Sequence, residues 1–516
     1  MSFKTNSIII MGIETYFNKN VVFNPNYKLR SDENNIIITN NDSAIANSLD
    51  LSNNNDFTTG FSWPIHPFIA IMINYFDGKR TLKQTIEIIS SETALSFDEV
   101  TLSISKIFLN KDIIFYPVED KNISLPLPIN VLIVNNNNFV RDNALQNTDI
   151  NYIFENMDFK KKRLSIPNEC TLMINNTCYT NCVYCYVDKR FVHGMLPFER
   201  WKEIISEARN LNMRDCQING GDLFSYKYWY ELLCCLYEHN YSPYLSTKHP
   251  LTETMVAKLA SLKIKKLQFS IDSVNKSSLS SILKVDSEYL EKIKRTLLLL
   301  QKYDISFCVK SVITRYNDSI REIKDLIQFI TSFDNLTDMS LAPGEYSIYN
   351  DFCSFRTTKK QLGTIRQFIN ELQHLKVNMQ DYMESGADFT FVEKQADFSK
   401  RAACSANTTS FLVLPDGKVT YCEQTYWNPH FIMGDLRKQS IMEMWTSEKA
   451  KSMWHYSQDS LQDGNPCKTC EDFERCRHGK GACFRLAYTA YGLDCWNYPP
   501  PQCPYAPEVT ADIYIK

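Results

Sequence analysis

Between residues 166 and 345, short runs rich in β-formers alternate with amphipathic helical patterns. That alternation narrows the fold more than any other feature of the 516 residues. The strand-like runs are Cys170–Ile174, Cys216–Asn219, Tyr244–Ser246, Leu267–Ile271, Phe307–Ile313 and Met339–Leu341. Between them, apolar residues recur at helical spacing over about 197–211, 225–239, 252–262, 287–302 and 318–332. Six strands with five intervening helices mean repeated βαβ units and therefore a parallel sheet. The length suits an α/β fold with a partial (β/α)6 barrel, since a full barrel of eight units takes about 250 residues. Such folds collect their reactive groups in the loops after the C-terminal ends of the strands.

The flanking segments differ. Residues 20–120 open with "NYKLRSDENNIIITN", whose alternation around an Asp-Glu-Asn-Asn turn predicts a hairpin. Three helices follow: one ending near Asp77-Gly78, one opened by Thr81, and one from Ser96 to about Asn110. Together they form a small winged-helix-like module, with Asn35–Thr39 as a candidate sheet edge. Residues 121–165, with Pro126, Pro128 and an Asn run, read as a linker, and 346–394 as a connecting segment. Residues 395–510 are cysteine-rich with few long helices. Such a stretch builds little apolar core, so metal ligation is expected to stabilise it.

Lys+Arg 56 against Asp+Glu 59 leaves a net charge of −3, which excludes the basic surface of a nucleic-acid binder. No run reaches the roughly 18 apolar residues of a membrane span, and the start lacks a signal peptide. A cytoplasmic chain without membrane association is expected. Seventeen cysteines in a reducing compartment then suggest metal rather than disulfides.

Three of those thiols, Cys178, Cys182 and Cys185, follow the first strand at C-x3-C-x2-C spacing. Structural zinc usually takes four protein ligands, and iron–sulfur clusters usually take four thiolates. Three thiolates on a 4Fe–4S cube would leave one iron open to a small molecule. With Tyr184 in place, the stretch resembles the radical S-adenosylmethionine (SAM) enzymes, whose signature is C-x3-C-x-aromatic-C. The resemblance covers about 166–345. It implies that Cys178, Cys182 and Cys185 hold a 4Fe–4S cluster whose open iron binds SAM, and that the reduced cluster cleaves SAM to a 5′-deoxyadenosyl radical that abstracts hydrogen. It also implies cofactor contacts at Tyr184, at Asn219-Gly220-Gly221-Asp222 and at Ser270 and Asp272 of "QFSIDS". The family usually has Gly-Gly-Glu after the second strand; Asp222 is one methylene shorter.

Cys404, Gly417 and Cys422, followed by Cys467-x2-Cys470-x5-Cys476, Cys483 and Cys503, resemble the SPASM extension of peptide-modifying radical SAM enzymes. Six residues, "RHGKGA", separate Cys476 from Cys483 where three are usual. The resemblance implies two auxiliary 4Fe–4S clusters. One takes Cys467, Cys470, Cys476 and Cys503; the other takes Cys404, Cys422 and Cys483, with Cys495 as its fourth ligand or an open site. In the sulfatase-maturating relatives an Asp at the place of Glu423 serves as base, so Glu423 is the candidate catalytic residue.

The stretch "YFDGKRTLKQTIEII" resembles the precursor-peptide recognition element of ribosomal-peptide maturases, related to the small chaperone of pyrroloquinoline quinone biosynthesis. That element takes up a leader peptide by strand addition. The expected function is thus a radical SAM maturase that binds a precursor leader and modifies the core, forming a thioether, carbon–carbon or ether crosslink. Flavodoxin or ferredoxin is the implied electron donor. The rival readings are a sulfatase-type formylglycine-generating maturase and, in another class, a non-catalytic peptide-binding or electron-transfer iron–sulfur protein.

Overall fold

The computed structural model describes residues 12–33, 35–40, 61–118, 123–141, 163–188, 194–347, 349, 353–372, 375–381, 390–401, 404–511 and 513. Two compact units emerge: residues 1–166 with 240–242, and residues 167–239 with 243–516.

In the first unit the expected hairpin is β2 (Tyr27–Asp32) against β3 (Asn35–Asn40), in register from Tyr27↔Asn40 to Asp32↔Asn35. The three helices are α1 (Pro67–Asn74), α2 (Leu82–Glu92) and α3 (Phe97–Ile107). Both Thr81 and Ser96 close capping boxes, with Gln84 and Glu99 returning the hydrogen bond. Ile69, Ile73, Ile86, Ile89, Val100 and Ile104 from these helices share one buried core.

Two expectations for this unit are corrected. The strand Asn35–Thr39 is no edge: β3 lies between β2 and β4 (Ser62–Pro64), and its whole length is buried. Its isoleucines belong inside, so it was the least suited of the three to face water. Nor is 121–165 simply a linker. β7 (Ile123–Leu127) pairs antiparallel with β6 (Ile114–Val118), and β8 (Leu132–Val134) pairs with β1 (Asn20–Phe23), which also pairs with β5 (Asp77–Thr81). Leu127 and Leu132 are buried in the unit's core.

The second unit carries the parallel strands. β9 (Glu169–Met173) pairs with β10 (Asp215–Asn219). A second parallel ladder runs β11 (Ser246–Thr247), β12 (Lys266–Ser270), β13 (Ser306–Ile313), β14 (Leu336–Pro343) and β15 (Val377–Met379). The intervening helices are α4 (Phe198–Asn210), α5 (Trp229–Glu238), α6 (Glu253–Ser261), α7 (Lys276–Leu283), α8 (Tyr289–Lys302), α9 (Ile320–Ile330) and α10 (Lys359–Glu371). Each buries one stripe; α9 buries Ile323, Leu326, Ile327 and Ile330, spaced as one helix face requires. α7 was not anticipated. α10 and β15 fall in the segment read as a connection and add one more parallel strand.

The cysteine-rich region holds more apolar structure than its composition suggested. After α11 (Phe391–Lys400), β16 (Ser410–Val413) pairs parallel with β9, and β17 (Lys418–Thr420) and β18 (Ile432–Asp435) continue that sheet antiparallel. Short helices α12 (Ile441–Trp445), α13 (Glu448–Trp454) and α14 (Phe484–Tyr491) bury Trp445, Met453 and Phe484. The first strand of the barrel therefore joins both regions through backbone hydrogen bonds.

Candidate functional site

The loop carrying Cys178, Cys182 and Cys185 leaves the C-terminal end of β9. Two sets of contacts fix it. Asn181 and Val183 donate their amides to Leu283 and Ile282 at the end of α7, at 2.8 and 2.9 Å. On the other side it meets the end of β10: Gly221 N–H donates to Asn175 C=O and Asp222 N–H to Thr177 C=O, both at 2.8 Å. The approach is close enough to demand glycine. Gly220 sits at φ +101°, and a Cβ there would lie 2.7 Å from Asn175 O; one at Gly221 would overlap Asn175 Oδ1 and the Thr177 main chain.

The strand-end acids are occupied by the protein itself. Asp222 Oδ1 accepts Phe224 N–H at 2.9 Å, and its Oδ2 accepts Thr247 Oγ1–H at 2.6 Å and Lys248 N–H at 3.0 Å. It ties the end of β10 to the end of β11. Asp272 is 1% exposed. Its Oδ1 accepts Val312 N–H at 2.8 Å, and its Oδ2 accepts the Tyr184 hydroxyl at 2.5 Å, with Lys248 Nζ 3.8 Å away. Burial first, then Asp272, holds the Tyr184 phenol well above its usual pKa, so it stays a donor. Ser270 accepts from Gln268 Nε2 at 3.0 Å. Lys248, which sequence reasoning passed over, is the cation of this corner. Burial raises the Cys182 thiol pKa, and Lys248 is the largest opposing influence.

Asn219 does not turn to this corner. Its carboxamide donates to the Glu423 carboxylate, directly after Cys422. Burial raises the Glu423 pKa, while Asn219 and Arg485 oppose the rise. Tyr186 and Tyr426 complete the group, since both lie within electrostatic reach of Glu423 and Cys185. Tyr426 is 0% exposed, has φ +41°, and its hydroxyl has no hydrogen-bond partner among the described residues. It packs edge-on to Tyr349 (5.0 Å between centroids) and beside Trp427 (6.1 Å). A buried aromatic residue in left-handed backbone with an unsatisfied hydroxyl is costly twice over. The only sequence signal for it was its place four residues after Cys422.

The remaining cysteines fall into two groups. Cys467, Cys470, Cys476 and Cys503 line one pocket together with Arg477. Cys404 and Cys483 line another; burial raises the Cys404 thiol pKa and carries that of Cys422 to about 12, with Cys483 adding to both. Cys495 lies in the turn Leu493–Cys495 and lines neither pocket. Among the described residues no three His, Cys, Asp or Glu side chains are grouped closely enough for a single metal ion. Cys170, Cys216, Cys235 and Cys308 are buried core residues.

These surroundings fit iron–sulfur clusters. Buried thiols with raised pKa values need a positive partner to become thiolates. At the four-cysteine pocket Arg477 is 5% exposed, donates to Cys467 Sγ at 2.9 Å, and keeps Nη1 without a partner among the described residues. A buried guanidinium of that kind calls for an anion, which a thiolate-ligated cluster provides.

Comparison with known proteins agrees with this geometry. Residues 172–330 match the radical SAM superfamily, and residues 404–472 match SPASM, an iron–sulfur cluster-binding domain. The chain thus carries a radical SAM domain, which implies SAM and a 4Fe–4S cluster, and a SPASM domain, which implies auxiliary iron–sulfur clusters. Its fold is that of Streptococcus suis SuiB. The SAM-bound SuiB structure gives a TM-score of 0.58 at 14% identity, covering 93% of this chain and 98% of SuiB. SuiB bound to its precursor peptide SuiA gives 0.59 at 12% identity, covering 96% and 99%. No described helix is long and apolar enough to cross a membrane.

Proposed function

We propose that the chain is a cytoplasmic maturase that binds the leader of a ribosomally made precursor peptide on its first unit and crosslinks the core peptide in its second. What supports this most is the Asn219–Glu423 hydrogen bond. It joins the end of a barrel strand to the residue after Cys422, so the radical SAM region meets the auxiliary-cluster segment directly. Cys178, Cys182 and Cys185 would hold the SAM-binding cluster, Cys467, Cys470, Cys476 and Cys503 one auxiliary cluster, and Cys404, Cys422 and Cys483 the other. Bound to its cluster and reduced through it, SAM would supply a 5′-deoxyadenosyl radical able to take a hydrogen atom from substrate. Asp222, Asp272 and the two glycines hold the cofactor corner in shape. Glu423 takes the substrate proton, with Asn219 orienting its carboxylate, and the electron left on the substrate would pass to the auxiliary cluster of Cys404, Cys422 and Cys483. The presence of precursor peptide on SuiB, a protein of the same fold, supports a peptide substrate here.

For the leader, β6 is the better edge. It pairs on one side only, and Phe115 is 68% exposed with Ile113 at 41% just before it. Strand addition there uses main-chain bonds for affinity and apolar contact for choice. Flavodoxin or ferredoxin would supply electrons. The test is anaerobic incubation of reconstituted protein with SAM, reductant and a candidate precursor. Formation of 5′-deoxyadenosine with loss of hydrogen from the peptide is expected. Absence of 5′-deoxyadenosine from protein with a full cluster complement would refute the enzyme reading. Cleavage of SAM without peptide modification by any leader-bearing precursor would refute the substrate.

A further inference from the structure

The six residues between Cys476 and Cys483 depart from the usual spacing, and they begin with Arg477. The chain carries the first four of them, Arg477–Lys480, in a π-helical turn, Glu474–Lys480, a form that often marks functional positions. Its effect is to place Arg477 inside the four-cysteine pocket. Nη2 donates to Cys467 Sγ and to Asn497 C=O, both at 2.9 Å. No carboxylate pairs with this guanidinium in any described ion pair.

A second guanidinium reaches a different sulfur of the same pocket. Arg401 Nη2 donates to Cys476 Sγ at 3.0 Å and to Gly481 C=O at 3.1 Å, and Gly481 belongs to the same six-residue stretch. The Arg401 guanidinium lies 3.8 Å above the ring of Phe398, which also lines the pocket. Gln458 clamps the carbonyls of Cys467 and Cys470 at 2.9 and 2.8 Å, so the loop geometry does not depend on either arginine alone.

We infer that Arg477 and Arg401 are positioning residues that set the redox poise of the auxiliary cluster at Cys467, Cys470, Cys476 and Cys503, biasing it to accept an electron. Hydrogen bonds to cluster-ligating sulfurs and nearby positive charge stabilise the reduced, more negative state and raise the potential. The inference depends on this cluster and not on the identity of any peptide.

The test is a potentiometric titration of the reconstituted holoenzyme followed by electron paramagnetic resonance. Cys470→Ser first identifies the signal of this cluster; the SAM-site cluster is the one whose signal SAM perturbs. Arg401→Gln and Arg477→Gln should each shift the Cys470-dependent signal to lower potential, by about tenfold in the oxidised-to-reduced ratio, or about 59 mV for one electron. Arg477→Lys should recover part of the shift, and the SAM-responsive signal should stay in place. If Arg477→Gln loses the cluster, the half-buried Arg401→Gln decides. An unchanged potential in cluster-replete Arg401→Gln overturns the inference. So does Cys470→Ser that leaves every signal intact.

Discussion

Replacing Tyr426 by Phe separates stability from function. The hydroxyl is buried without a partner, and an unsatisfied buried donor costs about 1–3 kcal/mol. Phenylalanine keeps the ring, its edge-on contact with Tyr349 and the left-handed backbone at φ +41°, so the substitution isolates the hydroxyl. The second unit should therefore gain about 1–3 kcal/mol, raising its melting temperature by a few degrees. Turnover should not follow, because the hydroxyl is 0% exposed and out of reach of a bound peptide, so kcat/KM for peptide should stay within about twofold of wild type. SAM cleavage without peptide should be unaffected. The assays are thermal unfolding of cluster-loaded protein at matched scan rates and peptide turnover on the same samples. A variant that melts below wild type would show that the hydroxyl already has a partner. One that melts higher but loses peptide turnover about tenfold would show that the site opens and the substrate reaches the hydroxyl. By contrast, Tyr426→Ala should destabilise by about 3–5 kcal/mol, because it opens a cavity.

Other positions give simpler tests. Gly221→Ala forces a Cβ against Asn175 and Thr177 and strains two loop hydrogen bonds, costing about 2–4 kcal/mol locally; iron content should fall selectively at the SAM-site cluster, and a full complement would contradict the tight approach described. Phe115→Glu should weaken leader binding about tenfold or more in an anisotropy titration while leaving SAM cleavage intact, and unchanged affinity would move the docking edge elsewhere. His66 caps α1 by accepting Phe68 N–H on Nδ1 at 3.2 Å, and burial lowers its pKa from 6.5. The folded state then binds fewer protons than the unfolded state below that value. Stability of the first unit should decline as pH falls from about 6.5 through the depressed folded pKa, and His66→Asn should remove that part of the slope in pH-dependent denaturation.

What was legible in the sequence was local. Thr81-x2-Gln84 and Ser96-x2-Glu99 announce their helices because a capping box is closed within four residues. The barrel strands announce themselves as short β-rich runs, such as Phe307–Ile313, set between amphipathic helices. The misses have physical reasons too. Pro126 argued against a strand, yet β7 pairs with β6 alone, and an edge strand tolerates a missing donor. β15 has three residues, too few for any period to be visible. Tyr186 and Tyr426 look like ordinary core aromatics until the tertiary structure brings them to Glu423. "RHGKGA" looked like a loop insertion because spacing conveys how many residues intervene, not that the first of them would turn inward to a sulfur.

The replacement of Glu by Asp at position 222 acquires a meaning in this setting. The shorter side chain caps the turn at Phe224 and meets Thr247 and Lys248 on the next strand end, so both its oxygens are spent within the protein. Asp272 does the equivalent between Tyr184 and Val312. Both ladders of the barrel are thus laced together at their C-terminal ends by buried carboxylates, and the thiol loop hangs from that lacing through Tyr184 and through Gly221. Rigidity of the loop follows from chemistry outside it. If these three thiols hold a cluster with one iron open to SAM, as proposed, a fourth cysteine would add nothing, and the shape of the loop has to come from neighbours that are not ligands.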